Sequence, residues 1–281
     1  MDVDIGQIVY SQWLNLDGGI EADVTVTRTA SDEFMVVAPC ASERRDGEWL
    51  RRHAKAFDCV VRQDRDIAII GVMGPRSTEL LTRVLSGSPA IDALPYYRSG
   101  QFQYDATKVR ANRLSYVGER GYELYLHRDE AVAMWQQLMD KGADLGITPA
   151  GFHAMNACRM EKGYRHWGHD IYDHITPAQA GLNFAVAKDK YDFIGCDALA
   201  TQHGKQQRRL VHLAINSDDA PFMIHDEPVY RDGEAVGLTT SAAWGHRVGK
   251  SLAIAELTHP QGVTREWLAA GAFEVEIALQ R

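Results

Sequence analysis

The stretch QWLNLDGGIEADVTV, residues 12–26, sets two carboxylates, Glu21 and Asp23, just after a Gly18-Gly19 pair and inside an alternating run. A glycine pair before such a run makes a hairpin turn, and a carboxylate on the strand that follows is available for general acid–base work. A third carboxylate, Glu123, stands in SYVGERGYELYLH (Ser115 to His127), after a glycine-bounded turn. On a strand of period two, Glu123 and Tyr125 share one face while Tyr122 and Leu124 share the other. A carboxylate and tyrosines so placed are either a solvated face or a recogniser of a flat heterocycle, through paired hydrogen bonds and aromatic packing.

Other segments have the look of chemistry without its spacing. HWGHDIYDH, His166 to His174, carries three histidines and two aspartates. These are types that suit zinc or iron, but the stretch shows no recognisable ligand spacing, and turn, capping or substrate-lining roles explain it better. No metal is expected. IAIIGVMGPRSTELL reads as strand, glycine turn and helix, yet it holds only Gly71 and Gly74 and no phosphate-binding lysine, so a tight turn accounts for it. No G-x-S-x-G elbow occurs, and no cysteine sits in a nucleophile signature.

The elements that must position these residues are mixed. Strands are expected at Asp23 to Arg28, Glu33 to Ala38, Asp58 to Arg62, Ile67 to Val72, Lys108 to Val117 and Tyr122 to Leu126. Helices are expected at Glu43 to Ala56, Pro75 to Leu85, Asp129 to Lys141 and Pro149 to Gly163. In the third of these, Ala131, Trp135, Leu138 and Met139 recur at helical spacing as the apolar face. From about residue 207 the chain turns to strands: RRLVHLAI, EPVYRDGEAVGLTTS with Asp232-Gly233 as its turn, and LAIAELT. The fold class is α+β, a larger mixed domain over residues 1–206 and a small all-β domain over 207–281.

The 281 residues carry a formal net charge of −8, which argues against a nucleic-acid partner. The basic run KQQRR, Lys205 to Arg209, reads as a solvated segment between domains. Four cysteines lie far apart with no C-x-x-C pair, which fits a reducing cytoplasm. Neither a signal pattern nor a membrane-spanning apolar run is present, so no membrane partner is expected.

Several segments in order, YSQWLNLDGGIEADVTVTR, GVMGPRS, SYVGERGYELY, CRMEKGYRHWGHDI, TPAQAGLNFAV, FIGCDAL, EPVYRDGEAVG and TTSAAWGH, resemble the folate-dependent aminomethyltransferase family, which includes the T-protein of the glycine cleavage system. EKGYRHWGHDI and YSQWLN are most like the folate-binding half of dimethylglycine and sarcosine dehydrogenases. The resemblance runs nearly the length of the chain. It implies a T-protein-like folate-binding domain followed by a C-terminal β-barrel domain, with tetrahydrofolate as the cofactor. It also implies an activity: capture of the one-carbon unit released from dimethylglycine or sarcosine, as iminium or formaldehyde, to give 5,10-methylenetetrahydrofolate.

Residue by residue, the family's key acid falls on Asp23, the neighbouring acid of the T-protein pattern is replaced by Ala22, and Glu21 is left as a surface residue. Tyr10 and Thr25 fall on folate-lining positions, and Tyr116 and Glu123 on pterin contacts. An arginine expected on the following helix falls at Met155. The flavin domain of those dehydrogenases has no counterpart, so FAD is expected only on a separate or missing domain, and a flavin-dependent dehydrogenase subunit is an expected partner. The chain resembles a fragment, a split gene product or one subunit, whose folding depends on a partner. The alternatives are a noncatalytic folate-binding or scaffold module and an inactive remnant of a split dehydrogenase.

Overall fold

Ile8–Leu14 (β1) and Ile20–Arg28 (β2) form the first hairpin, and β2 shows why its sequence alternates. Ile20, Ala22, Val24 and Val26 are buried, whereas Glu21, Asp23 and Thr25 between them are half-buried on the other face. Phe34–Val37 (β3) pairs antiparallel with β2, placing Thr25 opposite Val37. The computed structural model describes residues 2–202, 204, 206–216 and 221–280. It divides into two compact units, residues 1–10 with 24–151 and residues 11–23 with 152–281, so the chain crosses from one to the other within β1 and β2.

The first unit continues with α1 (Glu43–Ala54), β4 (Ile67–Met73), α2 (Ser77–Val84), β5 (Ser99–Tyr104), β6 (Thr107–Asn112), β7 (Gly121–His127) and α3 (Ala131–Gly142). Its antiparallel sheet runs in the order β4-β7-β6-β5. One face sends Val72, Phe102, Val109, Tyr122, Leu124 and Leu126 into a core closed by Leu80 and Leu81 of α2 and Met134 and Leu138 of α3. The other face is the polar one, with Asn112 opposite Glu123 and Arg110 opposite Tyr125.

Three expectations change here. Asp58 to Arg62 is not a strand; no neighbour pairs with it, and Val60 is 93% exposed. The strand expected to reach Val117 stops at Asn112, and residues 113–120 form a loop whose far end is held by Gly74 N–H and Ser77 Oγ, both donating to Arg120 O. On α3 the buried face is Met134, Leu138 and Gly142, while Trp135 is 45% exposed. Met134 and Leu138 join the core with Leu80 and Leu81 of α2, so the buried stripe is offset from the one drawn through Trp135.

The second unit holds α4 (Phe152–Lys162), α5 (Pro177–Ala180), α6 (Cys196–Thr201), β8 (Arg208–Ala214), β9 (Pro228–Arg231), β10 (Glu234–Gly245), β11 (Lys250–Thr258), α7 (Arg265–Ala270) and β12 (Phe273–Val275). Its five strands are antiparallel in the order β12-β9-β10-β11-β8. Asp232 (φ 52°) and Gly233 (φ 87°) make the β9–β10 turn, as the Asp-Gly pair predicts. Leu14, Ile20, Met160, Ile171, Ile175, Leu210, Leu252 and Ile254 form the main core. Lys205 of the basic run lies outside the described residues; Arg208 and Arg209 open β8 instead of lying in a linker.

Candidate functional site

Asp23 owes its place to the turn that precedes it. Asn15 N–H donates to Gly19 O (2.9 Å) and Gly18 N–H to Asn15 O (3.0 Å), closing the β1–β2 connection. The Asn15 side chain works on both sides: its Oδ1 accepts from Gly19 N–H (2.8 Å), and its Nδ2 donates to Asp173 O (2.8 Å). Gly18 holds a φ of +80°, and a Cβ on Gly19 would lie 1.8 Å from Asp173 O, so neither glycine is replaceable without moving backbone. Just beyond, Ile20 N–H donates to Ile175 O (3.0 Å) and Trp167 Nε1 to Ile20 O (3.1 Å). The turn and the first residue of β2 are thus gripped by residues 167–175.

That grip explains the histidine-rich stretch. Asp170 is fully buried and accepts from Arg159 Nη1 (2.7 Å), His166 N–H (2.9 Å) and Thr240 Oγ1 (2.5 Å). Arg159, equally buried, spends its other donors on Asn156 Oδ1, Tyr164 O and Ser241 Oγ. Thr240 sits where the β10–β11 register shifts, and the irregularity aims its hydroxyl at Asp170. The His166 and His169 rings meet at a tilt of 49° with centroids 4.7 Å apart, and burial pulls the His166 imidazole below its ordinary pKa. Among the described residues no group of three or more His, Cys, Asp or Glu could hold a metal ion.

Glu123 heads the polar face of the first unit's sheet. It accepts a short hydrogen bond from Tyr125 Oη on its own strand. Burial pushes the Glu123 carboxyl above the ordinary carboxylate range, and the Tyr125 bond opposes that shift. Burial, then the adjacent Glu123 charge, pushes the Tyr125 phenol far up. Opposite Glu123, the fully buried Asn112 donates from Nδ2 to Thr27 Oγ1 (3.3 Å), while its Oδ1 finds no donor. Arg110 donates to Ser99 Oγ (3.1 Å) on the same face, with burial lowering its pKa. The face around Glu123 thus sets a buried acceptor with no donor among the described residues beside the carboxylate, which fits a ligand edge made of N–H groups, while Tyr125 and Arg110 supply its donors.

The first unit contains four of the five expected site residues: Tyr10 on β1, Thr25 on β2, Tyr116 in the loop before β7, and Glu123, all half-buried. Asp23, which closes the segment belonging to the second unit, shares the strand and the face of Thr25 and Thr27. Glu21 differs from its expected place at the surface: it lies two residues from Asp23 on that same half-buried face. Met155 is half-buried on α4. Sequence reasoning missed Asn15, Thr27, Asn112 and Trp167. Asn112 and Arg110 alternate within one run, but only the register of β6 against β7 sets them beside Glu123 and Tyr125. A groove of about 450 Å³ lined by His174, Arg208, His259 and Pro260 contains none of the expected site residues.

Two family models match the chain, and their bounds differ from those of the two compact units. Residues 1–190 match the family model for the GCVT N-terminal domain, and residues 208–281 that for the glycine cleavage T-protein C-terminal barrel domain. The chain is 39% identical to the 4-methylaminobutanoate oxidase (formaldehyde-forming) of Paenarthrobacter nicotinovorans, over 92% of this chain and 31% of that protein. It is 33% identical to human mitochondrial dimethylglycine dehydrogenase, over 89% of this chain and 29% of that one. It thus spans about a third of these two relatives. With the aminomethyltransferase of Halothermothrix orenii it shares 32% identity, over 93% of this chain and 72% of that protein. The crystal structure of glycine cleavage system aminomethyltransferase T from Bartonella henselae superposes with a TM-score of 0.82 at 25% identity, covering 99% of this chain and 78% of that chain. The chain belongs to the folate-dependent aminomethyltransferase family, that of the glycine cleavage T-protein, and has its fold.

Proposed function

We propose that this chain transfers a one-carbon unit from a small N-methylated amino acid, such as dimethylglycine or sarcosine, to tetrahydrofolate, giving 5,10-methylenetetrahydrofolate. The observation that carries the reading is the half-buried Glu123, held by Tyr125 on a face with an unpaired buried acceptor. A 2-amino-4-oxopyrimidine edge offers adjacent N–H donors, and a carboxylate accepts two of them in parallel. The likeness to an oxidase named for 4-methylaminobutanoate and for forming formaldehyde supports an N-methylated donor. Tetrahydrofolate supplies the nucleophilic nitrogen that takes up the one-carbon unit. Tyr10, Thr25 and Tyr116 line its site, and Glu123 orients it.

Asp23 is assigned as the catalytic acid. A carboxylate there stabilises a developing cation and exchanges protons as the one-carbon unit is captured, help worth about 10²–10⁴-fold in rate. The rigid turn at Asn15–Gly19 supports this role, because a catalytic group needs a fixed origin. Residues 1–206 are assigned as the folate-binding domain and 207–281 as the barrel. Oxidation of the donor is assigned to a flavin-dependent dehydrogenase partner. Cys40, Cys59, Cys158 and Cys196 form no disulfide among the described residues, in keeping with a reducing cytoplasm.

The test is calorimetric titration of the chain with tetrahydrofolate, followed by turnover with formaldehyde. Asp23→Ala should bind tetrahydrofolate within about threefold of the parent and lose about 10²-fold or more in methylene-folate formation. Equal turnover removes Asp23 from the reaction. Binding by the parent without turnover would leave a noncatalytic folate-binding module, and a folded parent that binds nothing ends the proposal.

A further inference from the structure

Among the described residues Glu123 has one side-chain donor, and it comes from a phenol two residues along the same strand. Tyr125 is 4% exposed, too enclosed to contribute much contact surface to a ligand, and its ring is not part of the apolar core formed by Tyr122 and Leu124. Its hydroxyl serves Glu123, and the Asn112 side chain hydrogen-bonds the same phenol from β6. We propose that Tyr125 is a positioning residue that fixes the plane of the Glu123 carboxylate, and so sets selectivity for an aminopyrimidinone edge. The inference rests on the assignment of Glu123 as the pterin contact.

The physical argument concerns freedom and lone pairs. A glutamate has three side-chain torsions, and a bidentate contact requires both oxygens to lie in the plane of the ligand. The groups that face Glu123 from neighbouring strands do not supply that restraint. On β6, Asn112 lies opposite with its Nδ2 directed to Thr27 and its side chain also hydrogen-bonded to the Tyr125 phenol, not to Glu123, and Arg110 lies opposite Tyr125 with its guanidinium on Ser99. On β4 the opposing residues are Gly71 and Ile69, which are not titratable and offer no side-chain donor. Tyr125 Oη takes one lone pair of Oε2. The second lone pair of Oε2 and both of Oε1 stay open, enough for two parallel N–H donors. The same bond favours the ionised carboxylate against the cost of burial, and only the ionised form accepts from both ligand N–H groups.

Tyr125→Phe retains the ring and removes the bond. Tetrahydrofolate is titrated calorimetrically into the full chain from pH 5 to 8, beside a 2-desamino analogue. The variant should bind tetrahydrofolate about 10-fold more weakly at neutral pH, the scale of one hydrogen bond to a charged group. The midpoint at which affinity is lost on acidification should move upward, because the bond that favours ionisation is gone. Preference for tetrahydrofolate over the analogue should shrink. A variant that melts like the parent and keeps its affinity, midpoint and preference overturns the proposal. If Tyr125→Phe does not fold, 3-fluorotyrosine at position 125 carries the test: a more acidic phenol donates more strongly and should lower the midpoint, and an unmoved midpoint overturns the proposal. Failure of the underlying reading looks different. There the parent itself shows no pH-dependent binding, or Glu123→Gln binds as the parent does, and the proposal falls with it.

Discussion

At the scale of single residues, Glu123 is held against its own preference. Desolvation raises its carboxyl pKa above that of the unfolded chain, so the folded state binds the proton more tightly than the unfolded state does. Stability should therefore fall as pH rises from the unfolded value through the raised folded one. Glu123→Gln retains an acceptor for Tyr125 and removes the charge. It should melt above the parent at pH 8 and lose that advantage toward pH 4, where both side chains are neutral; thermal melts at the two pH values check this. The same variant should bind tetrahydrofolate more weakly at pH 8. A gain in stability paired with a loss of binding is the mark of a group retained for its ligand. Asp23 is a different case, a half-buried acid on a strand whose other face is apolar, and its chemistry depends on where β2 begins.

At the scale of elements, the beginning of β2 is set by a segment some 150 residues away in sequence. Residues 167–175 meet the Asn15–Gly19 turn through Asp173 O, Ile175 O and Trp167 Nε1, and the Arg159–Asp170 pair holds that segment to α4 and β10. Both partners are fully enclosed and every contact is a donor facing an acceptor, so removing one leaves the other charge buried and unpaired. Asp170→Ala should cost about 3–5 kcal/mol in chemical denaturation. A loss below about 1 kcal/mol would mean that Arg159 has other acceptors within reach. The histidines and aspartates of this stretch look like metal ligands as a string of letters. Their spacing is that of a turn folded back on an arginine, and the arginine comes from a helix that the string does not contain.

At the scale of the molecule, each unit has its own core. Leu124 belongs to the first and Ile254 to the second, both fully buried. Leu124→Ala and Ile254→Ala should each cost about 2–5 kcal/mol through lost burial and the cavity left behind. They share no partner, so in the double variant the costs should add to within about 0.5 kcal/mol by equilibrium unfolding. A larger shortfall or excess would show that the cores are coupled. Among the described residues no helix is long and apolar enough to cross a membrane.

Local pattern was enough to read β2, β4, β7, the Asp232-Gly233 hairpin and most helices, because period, turn residues and caps act within a few positions. It was also enough for Gly18 before Asp23, since a φ of +80° is a local demand, whereas Gly19 is required by its approach to Asp173 O. It overran β6 by five residues and drew a strand at Asp58 to Arg62, because β propensity does not say whether a partner strand exists. The family resemblance named Asp23 and Glu123. Neither it nor the period of the strands identified Asn15, Trp167 or Asn112, although the period did set Tyr125 on the face of Glu123. Those depend on register and on contacts between distant segments, where burial decides which carboxylate keeps its charge and which donor holds it.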